Sequence, residues 1–70
     1  MISNIQFWLN GQNYSVNEVI KLSDLLCYFN YTNQLFVLEH NNLICDEKIW
    51  KTISISELDR IEIVTIVGGG

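Results

Sequence analysis

The sequence contains no proline, one histidine, two cysteines and four basic residues against eight acidic ones. Each scarcity excludes a class of protein. Four cations within a net charge of −4 cannot neutralise many phosphates, which argues against a nucleic-acid binder. A partner with a basic or mixed docking surface fits better. No apolar run approaches the roughly 18 residues that a membrane span requires, so no membrane association is expected. The start of the chain lacks a basic region followed by an apolar one, so no secretory signal is expected and the expected location is cytoplasmic. Cys27 and Cys45 are too few for a disulfide scaffold and too far apart for a CxxC motif. They read as free thiols in a reducing compartment and as small packing residues. His40, with no second histidine and no paired cysteine, does not make a metal site. There is no internal repeat and no linker, and 70 residues allow one domain.

What is present argues for a folded chain. Hydrophobic residues make up 49% and charged residues 17%, the reverse of a disordered composition. Residues 2–9 read as a strand, because Ile5, Phe7 and Leu9 alternate with Asn4, Gln6 and Trp8. Asn10-Gly11 is a strong hairpin signal, with residues 14–16 as the returning strand. A helix follows, with Ser23 as its expected cap, Leu22 outside it and Asp24 in the first turn. Leu22, Leu25, Leu26 and Phe29 form its apolar face. Residues 35–39 and 43–45 read as strands joined by a turn at His40-Asn41-Asn42, since asparagine tolerates positive φ. Asp46 caps a single helical turn that ends on Trp50, and Trp50 and Phe29 read as core anchors. Residues 60–67 form a last, β-branched strand. The order β-β-α-β-β-(short helix)-β predicts an α+β domain, a mixed sheet with one main helix across one face.

The last strand runs into Gly68-Gly69-Gly70. Glycine loses the most freedom on ordering, so the sequence predicts a folded domain over residues 1–67 and a flexible tail over 68–70. Extended, three glycines reach about 10 Å and form the thinnest backbone available, suited to entering a narrow channel. Alternation along the last strand turns Ile61 and Ile63 toward the helix. Glu62, Val64 and Ile66 then lie on the open face, where Val37 of the third strand joins them as a candidate docking patch.

Four features belong together: Leu9-Asn10-Gly11, the Glu39-x-Asn41 hairpin followed by Trp50, Asp59-Arg60-Ile61-Glu62-Ile63-Val64, and Gly68-Gly69-Gly70. With the element order they resemble the ThiS family, the thiamine-biosynthesis sulfur carriers of the ubiquitin-like β-grasp fold. The resemblance spans essentially the whole chain. Three positions depart from it: Leu58 stands where the family often has glycine, Asn41-Asn42 replaces Asn-Gly, and Asp46-Glu47 replaces Pro-Arg. The resemblance implies a co-substrate rather than an enzyme, with no bound cofactor. An E1-like adenylating enzyme would use ATP to activate Gly70. A sulfur donor, a cysteine desulfurase or sulfurtransferase, would convert it to a thiocarboxylate. Thiazole synthase would accept the sulfur, with Gly68 and Gly69 inserted into each partner. Other readings are the small subunit of molybdopterin synthase, a ubiquitin-like modifier and a plain interaction module with an inert tail. The eight asparagines and ten isoleucines suggest an AT-rich genome, bacterial or plastid, in which case the plastid stroma replaces the cytoplasm.

Overall fold

Alternation of apolar and polar residues at the start of the chain produces strand β1 (Ile5–Leu9), which sinks Phe7 and Leu9 and leaves Gln6 and Trp8 outward. This is a computed structural model, and it describes residues 4–31 and 35–66. Asn10 and Gly11 adopt φ of 51° and 81°, and this two-residue turn returns the chain as β2 (Gln12–Val16), with Leu9 opposite Gln12.

Helix α1 (Leu22–Tyr28) starts two positions earlier than a cap at Ser23 would set it. Its cap position is Lys21, whose ammonium has no lone pair to offer. Its first donors are satisfied from elsewhere. Leu22 N–H donates to Ile53 C=O at 3.0 Å and Ser23 N–H to Trp50 C=O at 3.3 Å. Asp24 Oδ2 accepts from Lys21 N–H at 2.9 Å, the carboxylate half of a capping box. The carbonyls of a distant loop thus replace the serine cap, and Leu22 is fully buried inside the helix rather than outside it.

Strand β3 (Phe36–His40) is shifted one residue from expectation, so His40 is a strand residue and the turn is Asn41-Asn42 alone. Both asparagines have positive φ, 53° and 72°, in place of the glycine such turns favour. Strand β4 (Leu43–Ile44) is short. A 3-10 turn (Glu47–Ile49) follows, where Asp46 Oδ1 accepts from Lys48 N–H at 2.8 Å. Trp50 then stacks on Phe36 with centroids 5.3 Å apart and donates from Nε1 to Cys45 C=O at 3.1 Å. Strand β5 (Asp59–Thr65) starts one residue earlier than expected and ends at Thr65.

The sheet order is β2-β1-β5-β3-β4, so the last strand lies in the centre. It runs parallel to β1 and antiparallel to β3. One sheet face meets α1. Phe7, Leu9, Leu38, Ile61 and Ile63 of the sheet interlock there with Leu22, Leu25 and Leu26 of the helix and with Ile55. Burial stabilises each of these by about 1.5–3 kcal/mol. The fold class read from the sequence is the one the chain adopts: a mixed five-stranded sheet with one helix across it.

Candidate docking face and the anchoring of the last strand

Strand β5 divides its side chains cleanly. Ile61 and Ile63 are buried, while Glu62, Val64 and Ile66 stand on the face that the helix leaves open. Val64 is 55% exposed and Ile66 is 54% exposed, so two β-branched side chains face solvent. Val37 lies directly opposite Val64 in the β3–β5 register, and Glu39 opposite Glu62. The structure therefore brings Val37, Glu62, Val64 and Ile66 onto one surface. It also places two carboxylate residues across from each other, an arrangement that destabilises a sheet. Backbone pairing persists to Ile66, whose N–H donates to Leu35 C=O at 2.8 Å. The sequence-predicted sulfur site at Gly70 and the inserting residues Gly68 and Gly69 lie outside the described residues.

The base of β5 is held from both neighbouring hairpins, and this was not apparent from the sequence. Asn10 of the β1–β2 turn accepts through Oδ1 from Ile63 N–H at 2.7 Å and donates its own N–H to Ile61 C=O at 2.9 Å. Asn41 of the β3–β4 turn donates from Nδ2 to Asp59 Oδ1 at 3.1 Å and accepts at Oδ1 from Arg60 N–H at 2.8 Å. Asp59 is 8% exposed and is the hub. Its Oδ2 accepts from Ser56 N–H at 2.8 Å and lies 2.9 Å from His40 Nε2. Burial pushes the Asp59 carboxyl up, but the donors on His40, Ser56 and Asn41 outweigh it and hold the group below the ordinary carboxylate value. Leu58, just before it, sits at φ 67° and is 64% exposed.

Both Asp59 oxygens are engaged, and the Ser56 contact runs through its backbone N–H, so the His40–Asp59 pair ties the start of β5 to the end of β3. Among the described residues no group of three or more His, Cys, Asp or Glu side chains is placed to hold a metal ion. Cys45 is buried and Cys27 exposed, both as free thiols, and burial together with the nearby Asp46 carboxylate pushes the Cys45 thiol up, away from the reactive thiolate. The arrangement is that of a surface presented beside a strongly anchored strand.

Comparison with known proteins gives this surface a context. The model of the ThiS family matches residues 7–70. The chain belongs to the ThiS family. Among relatives, it is 56% identical over 64 residues to the uncharacterized protein ycf40 of Trieres chinensis, covering 91% of this chain and 88% of that one. It is 33% identical over 67 residues to ycf40 of Porphyra purpurea, covering 96% and 94%. The crystal structure of a thiamine biosynthesis protein, ThiS, from Geobacter metallireducens superposes with a TM-score of 0.79. That match covers 94% of this chain and all of the other at 19% identity, and it shows the shared ThiS fold. Membership of the ThiS family supports a sulfur-carrier role for the chain. Among the described residues no helix is long and apolar enough to cross a membrane.

Proposed function

We propose that the chain carries sulfur as a thiocarboxylate on Gly70 and delivers it to thiazole synthase in thiamine biosynthesis. The observation that carries this reading is the family match, which runs from Phe7 through the glycine tail to Gly70. The chemistry suits a glycine end. A carboxylate is a poor electrophile, so an E1-like enzyme first transfers AMP from ATP to Gly70 and releases pyrophosphate. A persulfide sulfur on the donor then attacks the acyl carbon and AMP leaves. A thiol cleaves the resulting S–S bond, and the sulfur stays on the acyl group as a thiocarboxylate. Without a Cβ, Gly70 leaves its carbonyl open to attack, and Gly68 and Gly69 let each enzyme close tightly around the tail. The chain supplies no acid, base or metal to these steps; it is a co-substrate of the enzymes that perform them.

Val64, Ile66, Val37 and Glu62 are the docking contacts in this reading. Glu62 and Val64 lie on the central strand, Ile66 directly follows it and Val37 lies on β3, and charge at Glu62 helps select the partner. Deletion of Gly70 tests the proposal. The core and the β5 anchors lie within residues 4–66, so the truncated chain should fold as before. ATP–pyrophosphate exchange by the adenylating enzyme should fall to background. Wild-type exchange with the truncated chain would contradict the assignment of Gly70.

A further inference from the structure

The two sides of β3 are unequally paired. Toward β5, pairing runs the whole strand from Phe36 to His40. Toward β4, it covers Glu39 and His40, with one added bond from Cys45 N–H to Leu38 C=O at 2.8 Å, before the chain turns away into the 3-10 turn. Leu35 C=O faces β5, since it accepts from Ile66 N–H. Strand alternation therefore aims the N–H and C=O of Phe36, and the N–H of Leu38, to the opposite side. Among the described residues no strand lies there. A cleft of about 510 Å³ opens beside this edge, between the sheet and the end of α1. Its walls are largely apolar: Leu26, Tyr31, Phe36, Ile44 and Trp50. Asp46 and Glu47 also line it, whereas Lys48, the cation of the same turn, does not.

We propose that this edge is a second docking site, which takes an extended segment of a partner protein as an added strand beside Phe36–Leu38, with apolar side chains in the cleft and a basic side chain against Asp46 and Glu47. Two independent features specify the occupant. Backbone donors and an acceptor at strand spacing select an extended chain, because a helix has already used its own backbone groups. The carboxylates at the cleft select a cation beside the apolar residues. The cleft shares Val37 alone with the docking face on β5.

A capped hexapeptide of alternating lysine and valine is the probe, titrated into the full chain labelled with nitrogen-15. The amides of Phe36 and Leu38 should shift and gain protection from hydrogen exchange, and the exposed Cys27 thiol, which lines the cleft, should react more slowly with a thiol reagent. The same peptide, N-methylated at alternate residues, keeps its side chains but loses its strand donors and should bind at least tenfold more weakly. Glu47→Lys should weaken the unmethylated peptide severalfold. Equal binding of both peptides would overturn strand addition, and unchanged binding to Glu47→Lys would overturn the basic partner. Absence of binding, binding at the β2 edge, or concentration-dependent protection of Phe36 without peptide would each overturn the proposal, the last by showing a second copy of the chain as the occupant.

Discussion

Leu58 and Asp59 stand side by side and show opposite relations to stability. Leu58 holds a left-handed φ of 67° without the freedom of glycine. That conformation costs about 1–2 kcal/mol for a residue with a Cβ. A glycine there gives back part of the gain, roughly 0.4–1 kcal/mol, through its looser unfolded state. Leu58 is mostly exposed, so Leu58→Gly forfeits little burial and should raise stability by about 0.5–1 kcal/mol, read as a higher urea midpoint; a lower midpoint would contradict the strain. Asp59 works the other way. Its carboxylate, held ionised by His40, Ser56 and Asn41, joins the start of β5 to the β3–β4 hairpin. Asp59→Asn should cost about 1.5–3 kcal/mol, the range for hydrogen bonds to a charged group. Because the folded value lies below the unfolded one, near 3.9, the stabilisation is complete above about pH 5 and is lost as pH falls through the folded value. The stability difference between wild type and Asp59→Asn, measured by urea unfolding, should therefore shrink between pH 5 and the acid limit; a constant difference would contradict it. Leu58 was visible in the sequence as a departure at a position that favours glycine. The Asp59 hub was not, because His40 and Asn41 reach it from 19 and 18 positions away.

Among the elements, β5 carries the proposed docking face. Val64→Asp and Ile66→Lys should each weaken binding to the adenylating enzyme and to thiazole synthase tenfold or more, since burying each side chain in an interface is worth roughly 1.5–3 kcal/mol. Their exposure in the free chain implies a change in stability below about 1 kcal/mol. Isothermal titration calorimetry and urea unfolding separate the two effects, and variants that unfold or that bind normally would contradict the assigned face. Glu62→Lys converts the pair with Glu39 into opposite charges and should add roughly 0.2–1 kcal/mol of stability while weakening partner binding. A gain in both would contradict a recognition role for Glu62. Alternation makes this face readable in the sequence, because a half-buried strand fixes which residues point inward. Element ends were less readable. Ser23 resembles a cap, but the carbonyls of Trp50 and Ile53 come from a later loop that local sequence does not reveal. The unpaired edge of β3 was equally hidden, since it depends on where β4 stops.

For the whole molecule, the element order made the fold class legible, while the central place of β5 depends on pairing between the first and last strands, more than 50 positions apart. The central strand, gripped by Asn10 and Asn41, is the one that Gly68-Gly69-Gly70 follow in the sequence. Thiocarboxylation of Gly70 can be read from the intact mass of the protein isolated from its own cells. A sulfur carrier should show a fraction heavier by one oxygen-to-sulfur exchange, localised to the peptide that contains Gly70 and returned to the ordinary mass by hydrolysis. A chain found joined through Gly70 to lysines of other proteins, or showing no such mass increase in cells actively making thiamine, would contradict the sulfur-carrier reading.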